Sequence, residues 1–172
     1  MKSIPTVNIA DKEQTNHLKA GDWISYTGKV ITIRDASQSK LIQTKEKTKK
    51  LPFDLEGRVV LYAAPAMSKE VIIGPTTSTR MDGGLDFLLK HGVTATIGKG
   101  KRNKNAIDLI KKYQAPYFIL MSGVSAYLSD FFKKEKIVAF KELGPEAVYE
   151  FTTSGLLLIT AIDTKGRSIF NQ

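Results

Sequence analysis

A chain of 172 residues, 42% hydrophobic and 25% charged, has the balance of a folded globular protein and can bury roughly 70% of its unfolded surface. It has no cysteine and only two distant histidines, His17 and His91, which excludes disulfide staples and argues against a transition-metal or iron–sulfur site held by this chain alone. The net charge of +9 leaves nucleic acid, an acidic protein or a dianionic small molecule as partners, while the absence of an apolar run near the roughly 20 residues of a membrane span points to a cytoplasmic protein without a membrane partner.

Residues 1–17 are polar and read as an N-terminal arm, ahead of one domain over 18–172. LKAGDW (18–23) reads as a turn into the strand ISYTGKVITI, with Gly28 as a bulge or tight bend. After Arg34-Asp35, ASQSKLIQTKEK reads as a short helix whose Lys-rich end, 45–50, is solvated. RVVLYAA (58–64) is a compact β-like run and EVIIG (70–74) a further short strand.

A strand–loop–helix pattern then recurs three times. VIIG leads through PTTSTR to a helix with Met81, Leu85, Leu88 and Leu89 on one face, closed by Gly92. VTATIG (93–98) leads through KGKRNK to a helix with Ala106, Leu109, Ile110 and Tyr113 on one face. YFILM (117–121) leads through SG to a helix with Val124, Tyr127, Leu128 and Phe131 on one face. KIVAF, AVYEFTT and LLLITAID follow as three more strands. This alternation predicts an α/β fold, a mixed sheet with flanking helices, whose strand-end loops gather in one crevice.

Those loops carry anion chemistry. In PTTSTR, hydroxyls of Thr76, Thr77, Ser78 and Thr79 join the unpaired N–H groups of a helix start, and Arg80 adds a planar fork matched to carboxylate. The same letters also describe an ordinary capped helix with a solvated arginine. IGKGK places Lys99 between Gly98 and Gly100 at a strand end; the competing reading is a basic surface turn. It is not a Walker A loop. Arg34-Asp35 directly follows a strand, either as a structural pair or as a ligand clamp. Residue types and spacing thus give a cationic, hydroxyl-lined crevice without specifying a reaction.

The ordered series KAGDWISYTGKVITIRDAS, FDLEGRVVLYAAPA, GPTTSTRMD, IGKGKR, KELGPEA and AIDTKG resembles the β subunit of class I fumarate hydratase and L-tartrate dehydratase. It equally resembles the C-terminal domain of single-chain class I fumarases. The resemblance implies a swivelling β/β/α domain and reversible addition of water to a dicarboxylate. It also implies a [4Fe-4S] cluster on a cysteine-bearing α subunit, in an α2β2 heterotetramer, with no cofactor or metal bound by this chain.

Carried over residue by residue, the resemblance implies that Arg34 and Arg80 bind substrate carboxylates. Lys99 contributes charge and a hydrogen bond, and Thr76 is the candidate catalytic base. Gln38 stands where the family shows a histidine, Ala64 where it has glycine, and TTSGLLLIT lacks a proline. Fumarate hydration leads, and tartrate dehydration or a methylated dicarboxylate is the alternative. A non-catalytic nucleic-acid or ligand-binding module is the reading of a different class. It would need aromatics interleaved with the basic runs KEKTKK and KGKRNK, which have none, so no nucleic-acid partner is expected.

Overall fold

The computed structural model describes residues 3–67, 71–120 and 130–170. Its centre is a mixed sheet that closes on itself. Strands β1 (Trp23–Thr32), β2 (Val59–Leu61), β5 (Ala95–Gly98) and β6 (Tyr117–Leu120) run parallel, in that order. The long strand β8 (Val148–Ile162) runs antiparallel to both β6 and β1 and so joins the two edges. Strand β7 (Phe132–Ala139) pairs with the first half of β8, where β6 no longer reaches.

Alternation along each strand divides the core in two. Val59, Leu61, Ala95, Ile97, Phe118 and Leu120 point to one apolar cluster with Ile24, Phe151 and Leu158. Val60, Tyr62 and Tyr117 point the other way, against Leu41, Met81, Leu85 and Ile110 from the helical side. Strands buried on both faces explain the uninterrupted apolar runs RVVLY and YFIL. The N-terminal segment lies along β1: Val7 N–H donates to the Ser25 carbonyl at 3.0 Å, and Ile9 is fully buried.

Helix α2 (Asp35–Thr48) follows β1 and ends in the exposed lysines of the 45–50 run, with Lys49 in the left-handed region at φ 59°. Helix α4 (Lys104–Tyr113) follows β5, buries Ala106 and Ile110, and is capped by Asn103, whose side chain accepts from the Ala106 N–H. Helix α4 matches the periodicity of the sequence, and α2 forms where a short helix is expected despite a weak apolar stripe. A four-residue helix, α1 (Lys12–Thr15), precedes β1.

Four expectations need correction. The run 58–64 is not one strand: it breaks at Tyr62, and β3 (Ala63–Met67) leaves the closed sheet to pair with β4 (Val71–Pro75) as a separate antiparallel hairpin. VIIG therefore belongs to that hairpin and not to the parallel sheet. The helix after it begins as a 3-10 turn, Ser78–Gly84, before α3 (Leu85–Lys90), though Met81, Leu85, Leu88 and Leu89 are all buried as expected. AVYEFTT and LLLITAID form one strand, β8, because Ser154 and Gly155 together face Thr27 of β1 as a bulge, with Gly155 at φ 68°. The register shift expected at Gly28 is present beside it, but the extra residue lies on β8. The helix placed at Val124, Tyr127 and Leu128 falls outside the described residues, and Phe131 lies in a turn before β7.

Candidate functional site

Parallel strands put the segments that follow β1 and β5 at the same end of the sheet, and the candidate residues lie there. Arg34 leaves β1 and opens α2. Its N–H donates to Ser37 Oγ at 2.9 Å, and its carbonyl accepts from Gln38 N–H at 2.8 Å. Glu146, from the LGPEA motif, folds over this helix start. One of its carboxylate oxygens accepts from Ala36 N–H at 2.9 Å; the other lies 3.6 Å from Arg34 Nη2. A carboxylate suits the positive end of a helix, so LGPEA acts as the cap of the Arg34 turn.

Arg80 reaches the same turn. Its Nη2 donates to Asp35 Oδ2 at 2.7 Å, with 54% of the Arg80 side chain still exposed. Gln38, one helical turn after Arg34, is buried and donates from its amide to the Met81 carbonyl at 3.2 Å. A Cβ on Gly84 would collide with that amide, so Gly84 and Gln38 occupy one space. Gln38 thus ties α2 to the turn that carries Arg80.

Thr76 and Lys99 are joined through backbone. Thr76 N–H donates to the Tyr62 carbonyl at 2.7 Å, and the residue is 7% exposed. Thr77 forms a parallel bridge with Lys99. Ser78 N–H donates to the Lys99 carbonyl at 3.0 Å, and Lys99 N–H donates to Ser78 Oγ at 3.1 Å. Thr79 Oγ1 donates to the Lys101 carbonyl at 2.7 Å. GPTTSTR therefore meets IGKGK through a single bridge at Thr77 and the hydrogen bonds of Ser78. Of the four expected site residues, Arg34 and Arg80 both lie beside Asp35, Thr76 precedes the 3-10 turn that carries Arg80, and the exposed Lys99 is bonded to that turn through Ser78.

The competing reading of a basic surface turn does not extend to the whole run 99–104, because Arg102 is only 5% exposed. Its Nε donates to Asp82 Oδ1, and its guanidinium lies 5.2 Å from the Tyr62 ring centroid and 4.9 Å from that of Tyr117. Burial opposes the charge on Arg102, but Tyr62 and Asp82 outweigh it and the guanidinium pKa is raised. Burial also pushes both phenols up, with Arg102 acting in the opposite sense. Asp82 Oδ2 accepts from Asn103 N–H at 2.9 Å. Tyr117 Oη lies 2.9 Å from both Ser78 Oγ and the Gly100 carbonyl. Neither Asp82 nor Arg102 stands out in the sequence, where one reads as a helix start and the other as a member of a charge run.

The arrangement offers cations from three segments, one of which also carries the hydroxyls, a set suited to a small polyanion with two carboxylates. Among the described residues no group of His, Cys, Asp and Glu is placed to hold a metal, and no helix is long and apolar enough to cross a membrane.

Comparison with known proteins agrees. Residues 2–172 match the sequence model of the family described as Fumarase C-terminus. A Methanocaldococcus jannaschii protein named "Putative L(+)-tartrate dehydratase subunit beta" is 36% identical over 97% of this chain and 91% of its own length. The L(+)-tartrate dehydratase subunit beta of Escherichia coli K12 is 30% identical over all of this chain and 88% of its own. Fumarate hydratase 2 of Leishmania major is 29% identical over 94% of this chain, which spans 29% of that longer protein. With the match running through every segment of the crevice, the chain belongs to the Fumarase C-terminus family.

Proposed function

We propose that this chain is the β subunit of a hydro-lyase that reversibly adds water to fumarate to give (S)-malate. What supports the reading is that Arg80 bonds Asp35 beside Arg34 while the hydroxyl-bearing turn that carries Arg80 is bonded to Lys99, at one end of the closed sheet. A four-carbon dicarboxylate needs charge at both ends and a proton acceptor between them. Arg34 and Arg80 bind carboxylates by their forks, and Lys99 contributes a point charge and a hydrogen bond. Thr76 is the proposed base for the C3 proton. A hydroxyl serves so only where its alkoxide is stabilised by nearby cations and hydrogen-bond donors, and the reading assigns that part to Arg80 and Lys99.

The family's [4Fe-4S] cluster does not fit this chain, which has no cysteine to ligate it. We place it on a cysteine-bearing α subunit in an α2β2 assembly and route no step of this chain's chemistry through it. In this reading the domain swivels to present its crevice to that subunit, in the cytoplasm. Dehydration of L(+)-tartrate to oxaloacetate is the second reading, favoured by the names of the relatives from M. jannaschii and E. coli. Both substrates are four-carbon dianions and use the same clamp.

Anaerobic co-expression with the cysteine-bearing partner, followed by assays on malate, fumarate and both tartrate enantiomers, tests the proposal. Turnover is expected only in the complex, and the preferred substrate decides between the readings. Malate turnover by this chain alone would overturn the half-site assignment.

A further inference from the structure

We infer that Arg102, Asp82 and Tyr117 are positioning residues that set the distance between the Arg80–Thr76 turn and the Lys99 loop. The inference rests on the proposed function for its substrate, but its geometry is independent of it. The turn and the loop come from different segments and meet above the ends of β2, β5 and β6. What lies between them is a buried cation within 5.2 Å of two aromatic ring centroids.

The contacts of this group link the two loops to each other and to the sheet. Asp82 lies in the 3-10 turn that begins at Ser78 and carries Arg80. Its two carboxylate oxygens take Arg102 Nε and Asn103 N–H, both from the segment after Lys99. The Arg102 guanidinium is held by the Tyr62 ring, beneath the Thr76 N–H, and by the Tyr117 ring at the start of β6. The Tyr117 hydroxyl then touches Ser78 Oγ on the turn and the Gly100 carbonyl on the loop. Ser78 Oγ in turn accepts from Lys99 N–H. A Cβ on Gly98 would collide with Ser78 Oγ, so the turn and β5 already touch.

The brace has no slack. The side chains of Arg102 and Asp82 are 0% and 2% exposed, so the pair cannot exchange with solvent or with an incoming ligand. A charge held this way does not bind substrate. It fixes the backbone from which Arg80 and Lys99 do, and reaction geometry is sensitive to small displacements of such groups.

Tyr117→Phe and Arg102→Lys in the assembled anaerobic complex test this. Phe keeps the ring beneath Arg102 and loses only the hydroxyl between Ser78 and Gly100. Lys keeps the charge and loses the guanidinium plane. We expect KM for the dicarboxylate to rise on the order of tenfold in Tyr117→Phe and further in Arg102→Lys, from misplacement of the binding cations. The thermal midpoint of Tyr117→Phe should stay close to that of wild type. A merely structural role would lower the midpoint and the active fraction, and so kcat, with KM unchanged, and that pattern would overturn the inference. Amide exchange supplies a readout without substrate: Ser78 and Lys99 N–H should lose protection in Tyr117→Phe. Unchanged exchange at both would sink the brace even if the wild-type complex turned over none of the dicarboxylates, an outcome that separately refutes the proposed function.

Discussion

Two arginine–aspartate pairs stand on the same short turn and do opposite things. Arg102–Asp82 is sealed, with side chains 0% and 2% exposed. Arg80–Asp35 is open, at 54% and 38%. In the sealed pair, mutual attraction, two tyrosine rings and the Asn103 amide offset the cost of desolvation in part, Arg102 Nη2 being buried without a hydrogen-bond partner, and neither side chain is open to solvent. In the open pair, water screens the attraction, so an incoming carboxylate can displace Asp35 from the Arg80 fork at little cost. Burial, and not residue type, separates the arginine inferred to hold the site from the arginine proposed to grip a ligand.

The sharpest way to break this contrast is to remove one partner of each pair. Asp82→Asn leaves a buried guanidinium without its counter-charge, and such losses cost about 3–5 kcal/mol. Urea unfolding of the chain should show it as a lower midpoint. Asp35→Asn should shift stability by no more than about 0.5 kcal/mol. Equal effects would mean that the two pairs are not different in kind.

Catalysis should rank them the other way at the ligand. Arg80→Ala in the assembled enzyme should lower kcat/KM by about 100-fold, the scale of losing one preorganised donor at a reacting centre, while unfolding of the chain is almost unchanged. Wild-type kinetics would remove Arg80 from the site. Gly98→Ala probes the contact beneath both loops. A methyl there must push Ser78 Oγ away, and overpacking of this sort costs about 1–3 kcal/mol. Its KM should rise with the stability loss, whereas Arg80→Ala separates the two.

How much of this can be read before folding follows from the same physics. Strand β1, helices α2 and α4, and the apposition of a hydroxyl-rich turn with a Gly-Lys-Gly loop rest on local patterns that the residues carry themselves. Arg34, Arg80 and Lys99 are legible because each follows a strand or a turn. Arg102 is not, since KGKRNK gives no local sign that one of its four cations turns inward. Only Tyr62, Tyr117 and Asp82, 40, 15 and 20 residues away in sequence, decide it. The hairpin β3–β4 and the continuity of β8 are hidden for a similar reason. Tyr62 ends one strand because its neighbour changes sheet, and Gly155 continues another because Thr27 lies opposite. Those are pairing facts, not propensities.

A third pair lies between the extremes and calibrates them. Glu150 on β8 receives Arg58 Nη1 and lies 3.2 Å from Lys29 Nζ, with its side chain 15% exposed and theirs 30% and 66%. Burial works to raise its pKa, but the two cations outweigh it, and the folded value falls below 4.5. A carboxyl depressed in the folded state is already ionised there when the unfolded chain begins to take up protons. Its contribution is therefore complete above the unfolded pKa and is lost as pH falls through the folded one. Solvent screening limits the contribution to about 1 kcal/mol or less. Glu150→Gln should therefore be less stable than wild type at neutral pH by that small amount, and the gap should close on acidification. Added salt should narrow it too, because Lys29 and Arg58 are partly in water. The same salt series on Asp82→Asn should leave its larger deficit in place, since no ion reaches a pair with side chains 0% and 2% exposed. If salt erased both deficits alike, burial would not be what distinguishes Arg102 from Arg80, and the division of labour between brace and clamp would fall with it.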